Sequence, residues 1–250
     1  MFAIVSDIHA NLEAFQAVLA DVRQARISRL ICLGDVIGYG ANPRECLDIA
    51  MGFEFTIMGN HDQAVLYEPI NFNIGAERAS YWTRRQLEEE PDDAKREARW
   101  AYLGSMLPRK RDGELLFCHG SPRRPTNEYI FADDIYYSPS RVTMMFEQVS
   151  GVCFVGHSHV PGVFLSDPDF FTPEELDDQY TYGKERAIVN VGSVGQPRDR
   201  DARASYVVVD ESAKIVTFKR VAYDFETTMQ KIAAVPELDD YLARRLKIGQ

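Results

Sequence analysis

No run of apolar residues in this 250-residue chain approaches the roughly 18–20 needed to span a bilayer, so no membrane is expected as a partner. Cysteine is sparse. Cys32, Cys46, Cys118 and Cys153 form no CxxC pair and no disulfide framework. Cys32, Cys118 and Cys153 lie inside apolar runs, as the buried thiols of a reducing, cytoplasmic protein do. Positive charge is in deficit: 28 Lys and Arg face 38 Asp and Glu, for a net charge of -10. A chain so acidic lacks the basic face that grips duplex nucleic acid, so nucleic acid is not an expected partner. A small anionic substrate stays compatible, because bound divalent cations can reverse the local sign. There is no repeat and no low-complexity tract. The N-terminal MFAIVSDIHA has no basic segment, and Asp7 interrupts its apolar stretch, so it reads as a strand rather than a signal peptide.

What is present is an ordinary globular composition, long enough to bury roughly 70–75% of the unfolded surface. We read residues 1–250 as one domain. Apolar runs at Phe2–Ser6, Leu30–Leu33 and Phe53–Met58 alternate with helices, one capped by Asn11 and one opened by Pro43. This βαβαβ order predicts parallel pairing. A polar helical insertion is expected over about 67–110. Pro91 divides it, and Trp100, Leu103 and Leu107 mark its buried face. Later strands are expected at 115–118, 151–155, 163–165, 187–191, 206–209 and 215–221. Little helix separates the last of them, so antiparallel pairing is expected there. Residues 167–183 read as a surface loop, and 224–246 as two amphipathic helices. The fold class expected is α/β, with two mixed sheets flanked by helices.

Histidine is scarce too, and none is spare. The five histidines sit in Asp7-Ile8-His9, Gly59-Asn60-His61-Asp62, Cys118-His119-Gly120 and Gly156-His157-Ser158-His159. Asp35, in Gly34-Asp35, joins them. Most of these motifs follow an apolar run directly, which places them at the carboxyl ends of strands, where α/β sheets bind ligands. A mixed set of Asp, Asn and His suits Mn, Fe, Zn, Ni or Co better than Ca²⁺. The ligands are too many for one tetrahedral zinc, so two divalent ions sharing a carboxylate are expected, with Mn favoured.

Taken in order, Asp7-x-His9, Gly34-Asp35 with Gly38 and Gly40, Gly59-Asn60-His61-Asp62, His119 and Gly156-His157-x-His159 resemble the calcineurin-like metallophosphoesterase superfamily. The stretches 34–40 and 190–199 look like its small prokaryotic phosphodiesterase branch. The resemblance implies a four-layer αββα sandwich. It implies one metal on Asp7, His9, Asp35 and His159, and a second on Asp35, Asn60, His119 and His157. Asp35 and a water or hydroxide would bridge them, and that hydroxide would attack phosphorus in line. His61 would be the catalytic acid facing substrate. The chain departs from calcineurin-type phosphatases and diadenosine tetraphosphate hydrolases at Gly38 and Tyr39, where those enzymes carry an Asp-Arg pair. Losing that arginine disfavours a monoester dianion more than a diester monoanion. Tyr39, Arg123, Arg124 and Arg198 are the candidate substrate contacts. The expected function is therefore a phosphodiesterase acting on a small phosphoester. The alternatives are a phosphomonoesterase acting on phosphoproteins or nucleotides, a nuclease, and a non-catalytic interaction scaffold. The intact ligand positions and His61 argue against the scaffold, and the acidic balance argues against the nuclease.

Overall fold

The computed structural model describes residues 1–250. In chain order the elements are β1 (Phe2–Val5), α1 (Leu12–Gln24), β2 (Leu30–Cys32), α2 (Pro43–Ala50), β3 (Phe55–Thr56), α3 (Asn60–Leu66), α4 (Ile74–Glu88), α5 (Asp93–Ser105), β4 (Arg109–Asp112) and β5 (Leu115–Cys118). They continue with α6 (Asp134–Tyr137), α7 (Pro139–Phe146), β6 (Val152–Val155), β7 (Gly162–Leu165), β8 (Asp169–Phe171), β9 (Gln179–Thr181), β10 (Ala187–Asn190), β11 (Ala204–Asp210), β12 (Ile215–Val221), α8 (Phe225–Ala233) and α9 (Asp240–Arg244).

Two six-stranded mixed sheets result, ordered β3-β2-β1-β11-β12-β9 and β4-β5-β6-β10-β7-β8. In the first, β1, β2 and β3 are parallel and the remainder antiparallel. In the second, β5, β6 and β10 form the parallel core. Strand alternation decides the layers. Phe2 and Ile4 of β1 face Phe117 of β5 and Phe154 of β6 in the core between the sheets. Ala3 and Val5 point the other way, onto Phe15, Val18 and Leu19 of α1 and Leu47 of α2. Likewise Cys153 and Val155 turn outward onto Val142, Met145 and Phe146 of α7. Strands buried on both faces need continuous apolar runs, and these have them. The layers are thus αββα. No helix is long and apolar enough to cross a membrane.

Several expectations need correction. Leu107 is 56% exposed, because α5 ends at Ser105 and Leu107 lies beyond its buried face. The region expected to be helical up to residue 110 ends in the edge strand β4, whose Arg-Lys-Arg-Asp sequence shows no apolar alternation. The stretch expected as a loop over 167–183 carries β8 and β9, which extend an edge of each sheet. The third strand narrows to Phe55–Thr56, continued by a single bridge between Ile57 and Leu107.

A fourth cluster positions the site. Ala76, Ala79 and Trp82 of α4 pack against Ile232 of α8, Leu242 of α9 and the flanking Leu238 and Leu246, with Tyr39 among them. The parallel strands of both sheets open their carboxyl ends toward one rim. The core between the sheets should be the main source of stability. Phe154→Ala, at a fully buried position, should lower the unfolding free energy by about 3–5 kcal/mol, measured by urea denaturation.

Candidate metal centre

The motif loops follow β1, β2, β3, β5 and β6, and they leave the strands in an uncommon way. Asp7, His9, Asp35, His157 and His159 all take left-handed backbone angles, with φ between 49 and 64°. Asp, Asn and His are the non-glycine residues that tolerate this region best. Ladder-like bonds between the loops hold them there. The amides of Asp7, His9 and Ala10 donate to the carbonyls of Gly34, Asp35 and Val36 at 2.9–3.0 Å.

The glycines before Asp35 and Asn60 are required by contact. A side chain on Gly59 would place its Cβ 2.1 Å from Asp35 Oδ1, and one on Gly34 would come 2.5 Å from the Gly59 nitrogen. Asp62 ties the same loops. Its carboxylate accepts the amides of Asp35 at 2.7 Å, Val36 at 3.0 Å, Gly59 at 3.1 Å and Ile37 at 3.3 Å. On the other sheet, the Asn190 side chain donates to the Gly156 carbonyl at 2.7 Å and to Ser158 Oγ at 2.8 Å. This shapes the turn that carries His157 and His159.

The result is a buried meeting of carboxylates, one amide and imidazoles. His159 Nε2 lies 3.2 Å from Asp7 Oδ1 and 3.2 Å from His9 Nε2. His119 Nε2 lies 3.1 Å from Asn60 Oδ1, 3.1 Å from His157 Nδ1 and 3.3 Å from Asp35 Oδ2. Three overlapping groups have the compactness of metal sites: Asp7, His9 and His159; His9, Asp35 and His61; Asp35, His119 and His157. Asp35 belongs to two of them. Its Oδ1 accepts the His61 amide at 2.8 Å, which leaves Oδ2 turned toward His9 and His119.

The donor chemistry fits cations. Nδ1 of His119 faces the Leu33 carbonyl at 2.9 Å and Nδ1 of His159 faces the Gln196 carbonyl at 2.6 Å, so each donates there and leaves Nε2 as a lone-pair donor to the centre. Asp7 Oδ1, His9 Nδ1, His61 Nδ1 and His157 Nε2 are buried with no hydrogen-bond partner.

Electrostatics give the same picture. Burial alone would raise the Asp7 carboxyl, yet His159 and His119 hold it well below the usual carboxylate range. Asp35 is held down in the same way by His119 and His61. Burial works against a charged His119, but Asp35 and Asp7 carry it up to about 10. Burial pushes His9 and His157 well below their ordinary value and His61 down to about 4. Two carboxylates held low beside an imidazole held high mark the centre as a place that favours positive charge. Burial and the Asp35 charge push Asp62 up to about 7, against the pull of its amide donors.

The candidate substrate contacts divide. Tyr39 lies beside the centre, its ring 4.3 Å from His61 and 4.7 Å from His9. Arg198 is there too. Its amide donates to the His159 carbonyl at 3.3 Å, its guanidinium holds Gln196, and its buried Nε has no partner. Its charge is among the causes that lower His9, His61 and His159. The structure does not bring Arg123 and Arg124 to the centre. Arg123 is ion-paired with Glu128, and Arg124 is exposed. Sequence reasoning missed Asp62 and Asn190 as loop anchors, although both lie inside the stretches that carry the motifs. It also missed Phe72, 4.7 Å from His61, and Tyr129, stacked on His157 at 3.6 Å. An isolated aromatic in a loop gives no sequence signal.

Replacing Asp62 by Asn would set an NH₂ against backbone amides and remove an acceptor. Asp62→Asn should cost about 2–4 kcal/mol in urea denaturation of the metal-free protein, despite the near-identical shape.

Comparison with known proteins agrees with this geometry. Residues 1–214 match the model of the calcineurin-like phosphoesterase superfamily domain. An uncharacterized protein of Methanocaldococcus jannaschii is 34% identical over 261 residues, covering 100% of this chain and 98% of the relative. The crystal structure of a metallophosphoesterase from Sphaerobacter thermophilus is 36% identical, with a TM-score of 0.82, and the match covers 100% of this chain and 98% of that one. A hypothetical protein from Pyrococcus horikoshii shares the fold at 19% identity and a TM-score of 0.76, over 100% and 98% of the two chains. With the family model spanning most of its length, this chain belongs to the calcineurin-like phosphoesterase superfamily, whose members hydrolyse phosphoric esters.

Proposed function

We propose that the protein is a metal-dependent phosphodiesterase acting on a small phosphoester. The observation that carries this reading is the convergence of Asp7, Asp35, Asn60 and four inward-facing imidazoles on one buried point. Asp7, His9, Asp35 and His159 would hold one divalent ion. Asp35, Asn60, His119 and His157 would hold the other, with Asp35 shared. The mixed oxygen and nitrogen donors suit Mn²⁺, Fe, Zn²⁺, Co²⁺ or Ni²⁺, of which Mn²⁺ is the ion we assign. Bound metals would supply Lewis acidity, which neutralises phosphoryl oxygens and acidifies water. Four free, buried cysteines suit a reducing cytoplasm.

The chain's own residues supply the remainder. Arg198 would meet a non-bridging phosphate oxygen with its unpartnered Nε. His61, packed between the tilted rings of Tyr39 and Phe72, would hold the proton for the leaving oxygen. Burial holds its pKa down to about 4. An arriving phosphate anion would raise its pKa and let it act as the acid. With Gly38 and Tyr39 in the second motif, Arg198 is the arginine whose amide is bound to the His159 carbonyl and whose buried Nε has no partner. A single cation suits a diester monoanion better than a monoester dianion.

The test is hydrolysis of bis-p-nitrophenyl phosphate beside p-nitrophenyl phosphate, on stripped protein reloaded with Mn²⁺. Diester turnover that requires metal and disappears in Asp35→Asn is expected. Faster turnover of the monoester would favour a phosphatase that uses Arg198 as its clamp. His61→Ala should keep its metal by elemental analysis and lose about 10²–10⁴-fold in kcat. Parental turnover would sink the role given to His61.

Metal and proton should also compete. His119, carried to about 10 by Asp35 and Asp7, must lose its proton to ligate. Loading at pH 7 should therefore release about one proton, and apparent affinity should rise by about tenfold per pH unit from pH 7 until it levels near pH 10. Calorimetry in buffers of different ionisation enthalpy reads this directly. Enthalpies independent of buffer would contradict it.

A further inference from the structure

Beside the metal centre lies an open cavity of ≈ 600 Å³ with Asn60 and His157 on its wall. That volume falls within the range of small-molecule pockets. Its character differs from the centre it adjoins. No lysine or arginine lines it. Its one carboxylate, Glu68, accepts the Tyr81 hydroxyl at 3.0 Å and faces the Arg84 guanidinium at 3.4 Å. The space is therefore close to neutral.

Aromatic rings form part of the lining. Tyr129 is fixed by stacking on both His157 and Phe131. Phe72 packs on His61. Tyr67 is 64% exposed and pairs with no other ring, so its face is free. Amides supply the polar edge. Asn127 Nδ2 donates to Gln63 Oε1 at 3.3 Å, which leaves the Asn127 carbonyl oxygen and the Gln63 NH₂ without protein partners. An acceptor and a donor are thus held side by side among aromatic surfaces.

We propose that this cavity binds a nucleobase-class heteroaromatic group carried on the phosphoester, an inference that rests on the phosphodiesterase reading of the centre. Such a group stacks on an aromatic face and presents paired donors and acceptors at its edge. A polyphosphate chain finds no cation there. A quaternary ammonium would suit the rings, but it has no hydrogen bond to offer the amide pair, and Glu68 is already neutralised by Arg84.

The experiment compares p-nitrophenyl diesters of thymidine 5′-phosphate, methyl phosphate and phosphorylcholine on the Mn²⁺-loaded protein. In each, water forms a new P–O bond and the P–O bond to p-nitrophenolate breaks, so the leaving group is constant. The thymidine ester should exceed the methyl ester in kcat/KM by about tenfold or more, through KM. In Tyr67→Ala and in Asn127→Ala that ratio should fall toward one. Equal kcat/KM for the two esters, or phosphorylcholine as the best substrate, overturns the pocket and leaves the diesterase reading standing. Calorimetric binding of thymidine 5′-monophosphate and methyl phosphate separates the two ideas further. A tenfold preference for the nucleotide supports the pocket even if no diester is hydrolysed, and equal affinity overturns it.

Discussion

One carboxylate organises this molecule's functional end. Asp62 takes four backbone amides from the loops after β2 and β3 into a buried position. Those loops come so close that glycine is the residue fitted to positions 34 and 59. Their spacing aims Asp35, and Asp35 lies where the His9 and His119 rings meet. An interaction that never touches a substrate thus fixes the group on which the centre's charge balance turns.

The backbone there is held against its own preference. Left-handed angles at Asp7, His9, Asp35, His157 and His159 each cost of order 1–3 kcal/mol. What offsets them is the lacing of loop to loop, together with the core between the sheets. The side chains are no easier to keep. Carboxylates and imidazoles packed without solvent need positive charge among them. The Asp35 and Asp7 charges that raise His119 express that demand. Metal affinity and acidity are therefore two views of one electrostatic demand.

The parts of this fold that depend on burial could be read from the sequence. Strands such as β5 and β6 are buried on both faces and so are written as unbroken apolar runs. β4 could not, because an edge strand of Arg-Lys-Arg-Asp needs only backbone pairing on one side. β8 and β9 were hidden in a polar stretch for the same reason. At the site, the pairing of Asp7 with His159 came from the family resemblance, whereas the convergence of the motifs was legible because short motifs at strand ends share a rim. The fate of Arg123 was not, since it depends on Glu128 turning inward on a loop. Nor was the aromatic character of the cavity, because Tyr67, Phe72 and Tyr129 come from segments without periodicity. Helix α4 joined to the C-terminal helices through Trp82 and Leu246 was equally silent, because each face alone looks like any amphipathic surface.

The placement of β1 bears on how the chain is made. It lies between β2 and β11, so one of its edges stays open until residues 204–210 leave the ribosome. The Asp7 carbonyl waits as well, for the Ser193 hydroxyl and the Gly195 amide. A nascent or stalled chain that ends between 160 and 200 thus carries every imidazole of the centre but lacks the strand that orders the first of them. It also exposes an apolar sheet edge of the kind that recruits chaperones or aggregates. Because β1 is translated well before β11, Asp7 and His9 are among the last of the centre's residues to be locked in place.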